Sequence, residues 1–320
     1  MSGDELAGFA SLVEKQLAAV GSRATGSWTL DPEQAVPALE ELGVLDLASD
    51  SRDMEDSLVW LSTIVRTCAG FSPSIAYALA GRYAAQRAVP EAPGPGVAAL
   101  AAAGEAESGW GATVPALFHP SGVLLLQRRP VAARVVAWDD LEETPGVERT
   151  GLQEADLRTL AERAPATSGR SLTKEQAETG IRELDVLTAS VGLGLIERAV
   201  KTSEEYAADR RQFGRPISTF AGLAAILVEI RLRSAIVEGL LGAVLAGDAD
   251  SAELVAVTGR ACVDACLDAI QVHGGYGYID EYPVAGMLRD AISLRARGGG
   301  RRSAVAAVAS AHYPSVSQDE

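Results

Sequence analysis

Gln271-Val-His-Gly-Gly-Tyr-Gly-Tyr-Ile-Asp-Glu-Tyr-Pro-Val-Ala-Gly-Met-Leu-Arg-Asp-Ala291 is the stretch on which the reading of this chain turns. A helix runs into Gly274, Gly275 and Gly277, an aromatic turn follows, and a second helix begins near Tyr282. Beyond it stands Gly298-Gly299-Gly300-Arg301-Arg302. Glycines at such junctions permit positive φ and let backbone approach something flat or phosphorylated. Taken alone they serve equally well as a helix C-cap. His273 by itself reads as a packed or capping histidine rather than a catalyst.

Outward from this stretch the pattern is helical on both sides. Residues 180–210 carry Leu184, Leu187, Val191, Leu195 and Ala199 on one stripe. Gly192 and Gly194 lie within that helix and permit close packing of a neighbour. Residues 219–245, 251–272, 282–295 and 301–312 read as four further helices. Their short connections predict an antiparallel bundle over 166–320. At the other end, helices are expected over 5–20, from Pro32 after the N-cap Asp31, over 54–68 and over 74–89, giving a helical region of residues 1–90. Between the two lies a breaker-rich linker, Pro90-Glu-Ala-Pro-Gly-Pro-Gly96. Short β-like runs follow at 123–127 and 132–138, a helix is expected at 154–163, and a small β module of residues 91–165 results. The order is α, small β, α: a mainly α protein with a reduced β insert.

Composition bounds what such a chain does. Of 320 residues, 48% are hydrophobic, enough for a substantial core. The net charge of −15, from 28 basic and 43 acidic residues, disfavours a nucleic-acid partner. No apolar run reaches the roughly 18–20 residues of a membrane span. The start, Met1-Ser-Gly-Asp-Glu-Leu, has neither a basic nor an apolar signal region, so a cytoplasmic protein is expected. Three cysteines make no disulfide framework. Cys262 and Cys266 are spaced as metal ligands on a helix, but no His or carboxylate cluster completes a site, and packing is the better account.

A second motif precedes the first by about sixty residues: Tyr206-Ala-Ala-Asp-Arg-Arg-Gln-Phe-Gly-Arg-Pro-Ile217. Arg210 and Arg211 at a helix end can answer the helix dipole. With Gln212 and Phe213 they can also hold a diphosphate while an aromatic ring covers an apolar edge. The pair of motifs is more specific than either member. Arg210-x-x-Phe-Gly-x-Pro-Ile, then Gln271-x-x-Gly-Gly-x-Gly-Tyr, then Tyr282-Pro-Val-x-x-x-x-Arg289-Asp290-Ala291, resembles the acyl-CoA dehydrogenase family. The α–β–α order matches that family as well.

The resemblance implies FAD lying across a subunit interface. Its diphosphate and adenosine end would be clamped by Arg210, Gln212, Phe213, Gln271, Gly274 and Gly275 for a neighbouring chain. It also implies an acyl-CoA substrate whose α-proton is taken by a carboxylate. Two family features are missing here. The interval 107–150 is short and lacks the family's flavin-cradling loop and Trp-Ile-Thr strand, with Trp110, Thr113 and Trp138 not placed to substitute. Counted from Arg289, the position of the catalytic Glu is Gly298 and that of the preceding Tyr is Arg297. An alternative base position early in the long helix falls on Leu184, flanked by Glu183 and Asp185, and a one-residue offset turns a side chain by about 100°.

With the clamp kept, the cradle shortened and the base lost, the expectation is a partner subunit of a heteromeric α2β2 acyl-CoA dehydrogenase. Such assemblies are known in the family from bacterial steroid side-chain breakdown. A full-length subunit would carry the Glu, and an electron-transfer flavoprotein would be an acceptor. Two other readings stay open: a self-sufficient flavin oxidase or monooxygenase on the same scaffold, and a non-enzymatic oligomerisation protein.

Overall fold

The computed structural model describes residues 3–24, 27–89, 96–100, 111–145, 150–163, 169–297 and 300–313. The N-terminal part is helical: α1 (Gly3–Val20), a small hairpin β1 (Ser22–Ala24) and β2 (Ser27–Thr29), α2 (Pro32–Glu41), α3 (Leu47–Asp50), α4 (Ser57–Ala69) and α5 (Pro73–Ala88). Two starts are set by side-chain caps with Pro at the first helical position. Asp31 accepts from the Glu33 N–H, and Ser72 from the Ile75 N–H. Helix α5 is buried almost end to end, and its alanines and Gly81 let a strand lie directly on it. A Cβ at Gly81 would stand 2.8 Å from Val97 Cγ2.

The strands of the middle module form two small sheets, apart from the two-stranded hairpins elsewhere in the chain. One has the order β3 (Gly96–Leu100), β5 (Gly122–Arg128), β6 (Val131–Ala137), β9 (Arg170–Ser171). The other has the order β4 (Gly111–Pro115), β8 (Leu157–Glu162), β7 (Leu141–Glu143). Among the described residues only the β3–β5 pair is parallel. Strand β5 shows how the module is held. Val123 and Leu125 point into a core between the sheets, while Leu124 and Leu126 join the main helical core on the other face. The helix expected at 154–163 is strand β8 instead. Leu152 and Asp156 take left-handed backbone (φ 56 and 49), turning the chain into a slot between β4 and β7. There Leu160 is drawn into the inter-sheet core, so pairing overrides local helix preference.

The C-terminal bundle comprises α6 (Lys174–Asp209), α7 (Ala221–Ala246), α8 (Ser251–His273), α9 (Val284–Arg295) and α10 (Gly300–His312). Helix α6 starts six residues before the expected Gly180. A capping box accounts for this: Thr173 accepts from the Gln176 N–H, and Gln176 accepts from the Thr173 N–H. Its glycines are contact points. A Cβ at Gly192 would meet Thr258 Cγ2 of α8 at 2.5 Å, and one at Gly194 would collide with the Arg66 carbonyl of α4. Cys262 and Cys266 are buried in the main core. The Arg289-Asp290 pair has a structural use. Asp290 accepts from the Leu152 N–H at 2.8 Å, and Gly151 lies against the Arg289 backbone, so α9 pins the loop that leads into β8.

Helix α7 is apolar around most of its circumference yet buries only Ile230, Val237, Leu241 and Val244. Val228, Leu232 and Ile236 face outward, next to Gly239 and Gly242, where added Cβ atoms would meet nothing within 4 Å. Among the described residues no helix is long and apolar enough to cross a membrane.

Candidate functional site

The two sequence motifs meet at one end of the bundle. Tyr206, in the last turn of α6, stacks on His273 at the end of α8, with ring centroids 4.2 Å apart. Its hydroxyl donates to the His273 carbonyl at 3.3 Å. Tyr282 closes the cluster, edge-on to Tyr206 at 5.8 Å and tilted against Tyr276 at 5.4 Å. This aromatic stack sets Arg210, the C-cap residue of α6, against the Gly274–Tyr278 turn, its guanidinium 5.2 Å from the Tyr276 ring centre. His273 itself is a strut. Burial pushes its pKa down, and its Nδ1 lies 2.7 Å from the Ala269 carbonyl, the arrangement of a neutral ring donating into its own helix.

Beyond Arg210 the chain makes a tight hairpin, β10 (Arg211–Gln212) with β11 (Arg215–Pro216). Its two turn residues, Phe213 and Gly214, both have positive φ (49 and 79), as a two-residue turn that matches strand twist requires. A phenylalanine in left-handed backbone is unfavourable, and this one is 91% exposed, its ring edge-on to Phe220 with centroids 6.2 Å apart.

Arg210, Gln212, Phe213, Gln271, Gly274 and Gly275 thus share one end of the bundle, and all six are exposed. Gly274 has φ 59 and ψ −136, a conformation open to glycine, which turns the chain out of α8. The edge offers a guanidinium, two side-chain amides, bare backbone and an apolar ring. This chemistry suits the diphosphate and flat base of a nucleotide.

The sequence-derived base candidates lie elsewhere. Asp185 and Arg210 are 25 residues apart on α6, about 38 Å along its axis at 1.5 Å per residue. Glu183 is buried and accepts from Arg87 Nε at 2.7 Å. Asp185 is buried in a two-point pair with Arg128, whose Nη1 is 2.9 Å from Oδ2, and the Ser251 hydroxyl donates to the same oxygen at 2.9 Å. Burial pushes both carboxyls up and the arginines pull them back. Gly298 and Trp110 lie outside the described residues.

Asp185 and Leu184 line a cavity of about 160 Å³ between the β module and helices α6, α8 and α9. Arg128 of β5, Thr113 of β4, Thr258 of α8, Tyr77 of α5, and Arg295 and Arg297 also line it. Arg128, Tyr77 and Thr258 carry no motif, and only the three-dimensional fold assembles them. Arg297 falls in the sequence where the family has Tyr, and its guanidinium lies 5.6 Å from the centre of the Tyr77 ring.

Residues 176–311 match the family model described as acyl-CoA dehydrogenase, C-terminal domain. An acyl-CoA dehydrogenase of Bacillus subtilis (strain 168) is 37% identical over 112 residues, covering 32% of this chain and 29% of that protein. The sequence match therefore spans less than a third of that relative's length. Likeness of fold extends over nearly the whole chain. The crystal structure of the prolyl acyl carrier protein oxidase AnaB superposes with a TM-score of 0.79 at 15% identity, over 98% of this chain and 100% of that one. The steroid ACAD Tcur3481-Tcur3483 superposes with a TM-score of 0.76 at 17% identity, over 99% of each chain.

Proposed function

We propose that this chain, whose residues 176–311 match the acyl-CoA dehydrogenase C-terminal domain and whose fold is similar to that of a butyryl-CoA dehydrogenase, is a subunit of a heteromeric, FAD-dependent acyl-CoA dehydrogenase. Proteins of this family use FAD. In this reading the chain supplies the clamp for the diphosphate and adenosine end, and a full-length partner supplies the flavin cradle and the proton-abstracting Glu. The acyl-CoA, a steroid-derived thioester in the sharpest form of the proposal, binds mainly to the partner. An electron-transfer flavoprotein is the acceptor.

One observation carries the reading. The six proposed clamp residues are exposed at the bundle end, and Arg210 lies about 38 Å along α6 from Asp185 in this chain's own cavity, which supports a role toward a neighbouring chain. The residues present fit the cofactor's polar end. Arg210 can place charge on the diphosphate, Gln212 and Gln271 can donate amide N–H groups, and Gly274 and Gly275 leave room for close approach, with no added Cβ contact within 4 Å. Phe213 is held out to cover an apolar edge. The ring end fits less well, because a cavity of about 160 Å³ is below the ~300 Å³ of ordinary cofactor pockets. When bound, FAD supplies the two-electron acceptor of the dehydrogenation. This chain's residues contribute binding and orientation, and the carboxylates Glu183 and Asp185 are tied to Arg87 and Arg128 rather than free to take a proton.

The open face of α7 supports an assembly with more than one copy of the chain. An antiparallel α7 crossing between Ala235 and Ile236 would set Leu232 opposite Gly239 and Val228 opposite Ala243, large against small throughout. The steroid ACAD among the similar structures is itself named as a pair, Tcur3481-Tcur3483.

Co-expression with full-length acyl-CoA dehydrogenase-like chains of the same genome tests the proposal, read by native mass and flavin-to-protein ratio. The isolated chain should be flavin-poor and inactive and the complex yellow. Arg210→Ala with Gln271→Ala should lower flavin affinity of the complex by about 10- to 100-fold, the range of one or two charge-assisted hydrogen bonds. Full dehydrogenase activity from the isolated chain, or an unchanged flavin content in the double variant, would sink it.

A further inference from the structure

His273 stands inside the Gln271 motif, between Gln271 and Gly274, yet unlike them it is buried. It is 3% exposed, and its ring stacks on that of Tyr206 with centroids 4.2 Å apart. Tyr282 meets the His273 ring edge-on at 5.9 Å and lies 5.4 Å from the Tyr276 ring. Tyr276 in turn carries the Arg210 guanidinium at 5.2 Å. A continuous run of contacts therefore joins His273 to the charge at the bundle end. The backbone shares in it. The Tyr206 hydroxyl donates to the His273 carbonyl, and the Gly274 N–H caps α8 on the carbonyls of Ile270 and Gln271. The turn has no slack against that helix end, because a Cβ at Gly277 would stand 2.9 Å from the Ile270 carbonyl oxygen.

The imidazole sits where a neutral ring fits and a charged one does not. Its Nδ1 lies 2.7 Å from the Ala269 carbonyl, and its Nε2 is buried with no hydrogen-bond partner among the described residues. A proton on Nε2 would bury a charged donor facing no acceptor. A tyrosine face attracts a cation, but by less than the cost of burying a charge unpaired. The charged and titratable groups around the ring are Tyr206 and Arg210 from α6 and Tyr276 and Tyr282 from the segment after α8. From α7 and its N-cap come apolar side chains, Phe220, Leu223, Ile226 and Leu227, which pack beside Tyr206 and Val272. Of these residue types histidine alone ordinarily changes charge between pH 5 and 8. We propose that His273 is a positioning residue of the clamp that works only as the neutral ring, so that its protonation unseats Arg210 and releases the diphosphate end of FAD. This role rests on the clamp reading above and adds a regulation of the same site. Burial holds the His273 pKa below its ordinary 6.5, so the folded chain binds this proton more weakly than the unfolded chain does. The favourable contribution of the neutral ring is complete above about pH 6.5 and is lost as pH falls below it.

The test measures FAD affinity of the co-expressed complex from pH 7.5 to pH 5, for the native chain and for His273→Phe, which keeps a stacking ring and takes no proton. Native affinity should fall at least about threefold over this range, and by no more than about tenfold per pH unit, the most that one linked proton allows. The Phe variant should show a profile flatter by that amount. Parallel profiles would overturn the proposal while leaving the clamp reading intact. Failure of the clamp reading shows differently, as a flavin content unchanged when Arg210 and Gln271 are both replaced by Ala. A second measurement needs neither flavin nor partner. The chain has three histidines, so NMR of the isolated full chain can follow the His273 ring while hydrogen exchange follows the amides of residues 274–278. After correction for the intrinsic pH dependence of exchange, protection of the turn should fall at least about threefold as the His273 ring titrates, while that of α5 holds. A ring that stays neutral to pH 5, or that titrates with the turn still protected, would overturn the proposal even where His273→Phe does not fold.

Discussion

Asp290→Asn isolates the cost of the carboxylate that pins the 151–156 loop to α9. Burial raises the Asp290 pKa from 3.8 to about 6, with Glu154 adding to the rise. The Leu152 N–H, Arg198 and Arg289 oppose it without cancelling it. A raised folded-state pKa means that the folded protein holds this proton longer than the unfolded chain does. Its favourable contribution is complete below about pH 3.8 and is lost as pH rises through about 6. A shift of about two units at 1.36 kcal/mol each amounts to about 3 kcal/mol at neutral pH, an upper bound because the residue is only partly buried. Asn keeps a carbonyl oxygen for the Leu152 N–H and carries no charge at any pH. The stability of the native sequence relative to Asp290→Asn should therefore fall by up to about 3 kcal/mol between pH 4 and pH 7. Urea unfolding of both proteins at unit pH steps measures it. Two curves that stay parallel within about 0.5 kcal/mol would refute the assignment of the shift to Asp290.

Two further substitutions separate stability from function. Phe213→Gly removes a left-handed phenylalanine and should stabilise the isolated chain by up to about 1 kcal/mol in thermal melts, while flavin retention by the co-expressed complex falls. An unchanged flavin ratio would show that the exposed ring has no part in the clamp. Leu232→Glu, on the open face of α7, should leave chain stability within about 0.5 kcal/mol of the original, since the position is half exposed, yet lower the native mass of the assembly. An assembly of unaltered mass would place the interface elsewhere.

The helical ends, and the two motifs that meet at one end of the bundle, were legible in the sequence because each rests on local chemistry. Asp31-Pro32 and Ser72-Pro73 announce helix starts, and Arg210, Phe213 and the Gln271 turn carry their pattern in a few contiguous residues. Strand β8 was not legible, because its conformation comes from the slot between β4 and β7 rather than from residues 154–163 themselves. Nor was the role of Asp290, whose partner is a backbone N–H 138 residues away. The arginine-lined cavity was the least legible of all. Arg128, Thr258 and Tyr77 come from three distant segments, and what unites them is the close crossing of α6 and α8 that one missing side chain at Gly192 permits.

Helix α6 is 36 residues long and carries Asp185 near one end and the cap Arg210 just past the other. In the proposed assembly it would act as a ruler between the cavity and the clamp. Adding one residue between them would lengthen it by only about 1.5 Å but would swing the clamp by about 100° around the axis. Adding four would nearly restore the bearing while moving the clamp by about 6 Å. Gains and losses of sequence during divergence should therefore be excluded from 186–209 and gather in the connections around it. The interval between Asp185 and Arg210 becomes a fixed length by which relatives sharing this mode of assembly can be told from those that only share the fold.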